Sequence, residues 1–182
     1  LPLDRSIVTF GSWMGGDRDG NPYVTASCTR DVVLLARVQG VNLLFQAIQR
    51  LIFDLSMWRC NDAVKALAKD ILENSETDNF TIFEERKKRN YDDFWKAIPE
   101  HEPYRVILAE LRDKLYNTRE ALQRCIADND VNIDMNDETI IRSKDELFAP
   151  LVVCYESLIE VGDAQIPNAY LLDVIRQVQC FG

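Results

Sequence analysis

The chain has 182 residues, 47% hydrophobic and 28% charged, with a formal net charge of −9. That is enough apolar material for one packed core, while the acidic balance and a lone short basic patch, Arg86-Lys87-Lys88-Arg89, argue against nucleic acid as a partner. No uninterrupted run of about 18 apolar residues occurs, so no membrane span is expected. The start, with neither Met nor a basic-then-apolar leader, and the end at Gly182 both read as cuts from a longer chain.

Ser6 to Phe10 is short and rich in β-branched residues and predicts a strand. Gly11 to Asn21 breaks both regular structures and predicts a loop, closed by Pro22. A long helix follows, with Thr25, Ser27 or Thr29 as its cap. Leu44, Ala47, Ile48, Leu51, Leu55 and Trp58 recur at three- and four-residue steps and predict one buried stripe. Gly40 predicts a kink or a close approach within it. Asn61-Asp62 starts a second helix to about Asn74. The polar stretch Ser75 to Asp93 reads as a surface excursion, and Tyr91 to Ile98 as a short helix ended by Pro99.

The strongest helical pattern runs from Pro103 to Asp128, with Tyr104, Ile107, Leu111, Leu115, Leu122 and Ile126 on its apolar face. Arg112, Asp113, Arg119 and Glu120 are expected off that face. Ser143-Lys-Asp-Glu146 has the spacing of a capping box. The helix behind it carries Leu147, Leu151, Tyr155 and Leu158 inward, with Pro150 expected to kink it or delay its regular start and Gly162 to end it. A last helix spans about Asn168 to Gln179, with Leu171, Leu172, Ile175 and Val178 inward. A single strand has nothing to pair with, so either its partners lie outside this chain or it is not a strand here.

The five cysteines, Cys28, Cys60, Cys125, Cys154 and Cys180, are odd in number and contain no CxxC pair. With His101 as the only histidine, zinc is not expected, and the thiols read as small core residues in a reducing compartment. His101 itself reads as a surface or helix-start residue.

The loop packs Gly11, Gly15, Gly16 and Gly20 around Trp13, Asp17, Arg18 and Asp19. Such glycine density implies positive φ or close approach to something, and strand–loop–helix order presents amides to an anion. Gly11 and Gly16 have the spacing of a nucleotide P-loop, but Asp17-Arg18 stands where Lys and Ser or Thr are needed. Asp17-Arg-Asp19-Gly-Asn21 mimics the start of a calcium loop, but Pro22 and Cys28 replace its required Gly and Glu. Two readings remain. One is a small-anion pocket, with Arg18 held between Asp17 and Asp19 and Trp13 as an apolar wall. The other is a tight structural turn with internal ion pairs.

The run FGSWMGGDRDGNP, followed by TRDVVLLAR, resembles the phosphoenolpyruvate carboxylase family. LSMWRCND, EPYRVILAELRDKLYNTRE, ELFAPLVVCYESL and LLDVIRQVQCFG continue the likeness in order, and LSMWRCND and RDKLYNTRE look like its plant-type branch. Glu73 to Arg89 departs from the family pattern.

The resemblance implies a mainly α segment of a larger catalytic chain. Residues 1–24 would form one strand and the active-site loop of a parallel eight-stranded (β/α) barrel. Residues 25–182 would form a helical excursion ending at the entry to the next strand. It implies a lyase that joins phosphoenolpyruvate and bicarbonate into oxaloacetate and phosphate, by way of carboxyphosphate and an enolate. Carbon dioxide fixation of this kind replenishes the tricarboxylic acid cycle. Also implied are Mg²⁺ or Mn²⁺, a cytoplasmic homotetramer and allosteric control.

Residue by residue, Trp13 matches a Trp beside the methylene end of phosphoenolpyruvate. Gly15, Gly16, Asp17, Arg18 and Asp19 match the motif that shapes the substrate pocket. Arg105 matches an Arg implicated in binding the activator glucose 6-phosphate. The family's catalytic His is expected upstream, and its metal carboxylates, catalytic Lys and phosphate-binding Arg residues downstream, so no catalytic or metal residue is assigned here and the segment alone is expected to be inactive. The competing reading is a non-catalytic helical interaction module with a self-contained core and a functional surface on its long helices. The segment reading instead predicts an exposed apolar face.

Overall fold

A computed structural model describes residues 3, 5, 11–76, 101–128, 133–134 and 136–181. The predicted strand Ser6 to Phe10 and the predicted helix Tyr91 to Ile98 lie outside these residues. No strand occurs among the described residues, and the chain is mainly helical.

Helix α1 spans Ala26–Asp54. Of the three candidate caps Thr25 serves: it is extended, and its hydroxyl accepts the Cys28 N–H at 3.2 Å. Thr29 donates its hydroxyl instead to the Gly15 carbonyl. The inner stripe Leu44, Ala47, Ile48, Leu51 and Ile52 is buried as its spacing requires. Trp58 does not continue that stripe. The helix ends at Asp54, and Trp58 is 74% exposed in the connection that follows. Gly40 sits in unbroken helix, and a Cβ added there would meet nothing within 4 Å, so it serves no close contact among the described residues.

Helix α2, Asp62–Glu76, starts at Asn61, whose side-chain oxygen accepts the Val64 N–H at 3.0 Å. Helix α3, Pro103–Ala127, is the central element and packs on α1 and α2. Its first half is buried on more than the predicted stripe, with Val106, Leu108 and Ala109 enclosed alongside Tyr104, Ile107 and Leu111.

Arg112 and Asp113 are also buried, not off the face. Arg112 is 2% exposed, and its Nε and Nη2 both donate to Asp113 Oδ1 at 3.0 and 2.8 Å. A buried charge persists where its partner is adjacent, as here.

Helix α4, Lys144–Glu160, begins at Ser143, but the expected reciprocal box is only half formed. The Ser143 hydroxyl makes no cap bond. Glu146 reaches one residue further back and accepts the Arg142 N–H at 3.1 Å and Arg142 Nε at 2.9 Å. The helix continues through Pro150.

α4 ends in a Schellman motif: Gly162 at φ +92 donates to the Ile159 carbonyl, and Asp163 donates to that of Leu158. A π-helical turn, Pro167–Leu171, leads into α5, Leu172–Phe181. The inward face is Leu171, Val174, Ile175 and Val178, with Leu172, expected inward, only half-buried.

One core joins all five helices, and a smaller cluster of Leu34, Leu122 and Cys125 lies where the N-terminal half of α1 meets the end of α3. A buried polar node locks three of the elements. The Tyr104 hydroxyl lies 2.8 Å from Ser157 Oγ, which also accepts the Asn61 N–H at 2.9 Å. Burial, above all, pushes the Tyr104 hydroxyl up to about 12. Cys154, buried beside this node, is likewise pushed up to about 12 by burial. Cys60 and Cys125 are buried too, as core thiols should be, while Cys28 and Cys180 are half-buried, and no disulfide joins any of the five. By length and composition α1 also qualifies as a membrane span, although its inner stripe is committed to this core.

Candidate functional site

The loop 11–24 is a chain of turns seated on the first two turns of α1. Gly16 donates to the Trp13 carbonyl at 3.3 Å, and Asn21 donates to the Arg18 carbonyl at 2.5 Å. Between Arg18 and Asn21 the backbone takes positive φ twice, at Asp19 (+31) and Gly20 (+75), the signature of a type I′ turn. Asn21 Oδ1 accepts the Tyr23 N–H at 3.0 Å and passes the chain toward the Thr25 cap.

Gly15 is the fixed point of this seat. Its φ is +69, and a Cβ there would stand 3.0 Å from Val32 Cγ2. The Thr29 hydroxyl meanwhile donates to its carbonyl at 2.5 Å. Glycine is required at this position for both conformation and space.

The structure corrects the expected pose of the acid–base–acid triplet. No ion pair joins Arg18 to Asp17 or Asp19. Asp17 Oδ1 instead accepts the Asp19 N–H at 3.2 Å, an Asx turn that commits the carboxylate to the backbone. The tight turn at Asp19-Gly20 sends neighbouring side chains apart, so Asp17, Arg18 and Asp19 all stand in solvent. Internal ion pairs, the basis of the purely structural reading, are therefore absent from this loop.

Trp13 is 78% exposed, and Met14 and Tyr23 are similarly open. The loop thus presents Trp13, Met14, Arg18 and Tyr23 to the outside, with Gly15 resting on Val32. It can form one side of an anion-binding pocket and no more. Asp17 and Asp19 do not fit a divalent metal, because one oxygen of Asp17 is taken and no third donor joins them. Among the described residues no group of three or more His, Cys, Asp or Glu could hold one.

Arg105 lies elsewhere, near the start of α3, and is not the solvated surface residue that its helix position suggests. Its side chain is 14% exposed. Nε donates to the Ile52 carbonyl at 2.8 Å and Nη1 to Glu102 Oε2 at 2.6 Å. Ile52 belongs to the last turn of α1, whose carbonyls lack helical partners, so Arg105 caps that helix in space. Ser56 Oγ donates to the other oxygen of Glu102 at 3.1 Å and completes the clasp. Sequence spacing offers the i,i+3 pair with Glu102 but could not reveal the bond to Ile52, which is 53 residues away along the chain. His101 is exposed at the turn into α3, as expected.

A family model for phosphoenolpyruvate carboxylase matches residues 1–182. Phosphoenolpyruvate carboxylase 1 of Chlamydomonas reinhardtii is 47% identical over 184 residues, covering all of this chain and 19% of the relative. The phosphoenolpyruvate carboxylase of Amaranthus hypochondriacus is 47% identical, and phosphoenolpyruvate carboxylase 1 of Zea mays 46%, each over 182 residues and 18% of its length. The chain therefore spans just under a fifth of the curated relatives it matches. With its whole length matched by that model and almost half its residues shared with these enzymes, the chain belongs to the phosphoenolpyruvate carboxylase family.

Proposed function

We propose that this segment works inside a family-length carboxylase that joins phosphoenolpyruvate and bicarbonate into oxaloacetate and phosphate. In that enzyme the loop Gly11 to Pro22 forms one wall of the phosphoenolpyruvate pocket. The observation that carries this reading is the exposed loop itself: Trp13, fixed by a glycine seat on α1, presents an apolar face with no partner of its own. Trp13 shields the methylene side of the substrate from water, which strengthens every electrostatic contact on the phosphate side. Gly15 and Gly16 let the backbone come close, and Asp17, Arg18 and Asp19 shape the rim.

In this reading Ser6 to Phe10 is a strand of the parallel barrel, and the loop stands at its C-terminal end, where barrel enzymes hold their chemistry. Mg²⁺ or Mn²⁺ stabilises developing negative charge in the complete site, and its ligands come from outside residues 1–182. Arg105 would contribute to a glucose 6-phosphate site. The assembly is a cytoplasmic homotetramer.

The test is oxaloacetate formation, followed by coupled reduction of the product. A family-length carboxylase carrying this segment is expected to turn over, and the purified 182-residue chain to give no oxaloacetate above background. Turnover by the short chain would refute the assignment of the chemistry to residues outside it.

A further inference from the structure

The outer face of α1 has no business in water. From Val32 to Gln49 the helix carries a single charged residue, Arg37, in a chain that is 28% charged overall. The inner stripe is buried against α3 and α5. On the opposite side, Val32, Leu35, Ala36, Gln39, Leu43 and Gln46 recur at three- and four-residue steps and form one continuous uncharged row. Leu35 and Leu43 are 56% and 57% exposed on it. Four of the six residues in the row are apolar and none is charged, unlike the charged outer face of an ordinary surface helix.

We infer that this row is a docking surface, covered by the remainder of a phosphoenolpyruvate carboxylase polypeptide of family length. The inference rests on the reading that the segment works inside such a chain. Three observations select this occupant. The matched relatives are more than five times longer than this segment, so most of a family-length chain lies outside it. The row is continuous with the loop: Gly15 rests on Val32, which places exposed Trp13 and Met14 at the same end of α1. Whatever approaches the loop to complete the pocket must therefore also approach the first turns of α1. Finally, α1 cannot leave for a bilayer without stripping Leu44, Ile48, Leu51 and Ile52 from the core.

The test is thiol labelling in the family-length carboxylase carrying this segment, with Leu35→Cys and Leu43→Cys made singly. Maleimide modification of each new thiol is followed by mass spectrometry in native buffer and in urea. Labelling on the order of tenfold slower in native buffer is expected at both positions. Equal rates in the two conditions would overturn the inference. So would protection that disappears on dilution, which assigns the row to a second copy, or protection that needs anionic vesicles, which assigns it to a membrane. Carbene footprinting of the unsubstituted protein over residues 32–46 gives the same readout if a Cys variant fails to fold. Oxaloacetate formation by the unsubstituted protein tests the underlying reading separately, since an active enzyme with a freely labelled row refutes only the docking surface.

Discussion

At the residue scale, Gly15 separates the loop's needs from those of the core. Gly15→Ala would combine left-handed strain, about 1–2 kcal/mol, with a methyl pressed on Val32. The core does not include the loop. The expected outcome is faster proteolytic cleavage within residues 11–24, with an almost unchanged urea midpoint for the helices. Tyr104 makes a second prediction, with a defined sign. Its folded-state value is raised, so its contribution to stability is complete below pH 10 and is lost as the pH climbs toward 12. Ultraviolet titration of the folded protein should show one tyrosine ionising late, and Tyr104→Phe should abolish that late step. The sequence signalled Gly15 through glycine density, but it could not say that Asp17 would bond its own backbone and leave Arg18 unpaired by the two acids. That choice follows from the type I′ turn at Asp19-Gly20, a feature of φ angles and not of composition.

At the scale of elements, the 3.6-residue pattern located α1, α2, α3 and α4 well, because each must bury an apolar stripe. It failed where packing is set by more than one neighbour. Arg112 and Asp113 are enclosed because α3 is central and is covered on several sides, and Trp58 is exposed because α1 stops before reaching it. On the last helix Leu171, Val174, Ile175 and Val178 are the buried set, a regular three- and four-residue spacing that includes Val174 and not Leu172. Gly40, expected to kink α1 or admit a neighbour, does neither among the described residues. Gly40→Ala should therefore stabilise the 182-residue chain by about 0.5–1 kcal/mol in urea unfolding, since glycine costs about that much inside a helix. Leu108→Ala, at a fully buried position of α3, should instead cost about 2–5 kcal/mol in the same experiment.

At the scale of the whole molecule, the helices enclose a core of their own, which the interaction-module reading also foresaw, yet they leave Trp13, Met14, Tyr23, Leu35 and Leu43 in the open. A module with a functional surface on its long helices would also expose Leu35 and Leu43, so it is the family match over the whole chain that favours the segment. The Arg105 clasp belongs at this scale too, because it fastens the end of α1 to the start of α3. Arg105→Ala should lower the stability of the enzyme as well as any response to glucose 6-phosphate, whereas Arg105→Lys keeps a charge but loses the two-armed hold. Thermal unfolding measured beside activation separates the two effects. The central claim, that Gly11 to Pro22 lines the phosphoenolpyruvate pocket, is tested most directly by Trp13→Ala in the family-length carboxylase. Steady-state kinetics should show the KM for phosphoenolpyruvate raised on the order of tenfold, equivalent to about 1.4 kcal/mol of binding. An unchanged KM and kcat would contradict it.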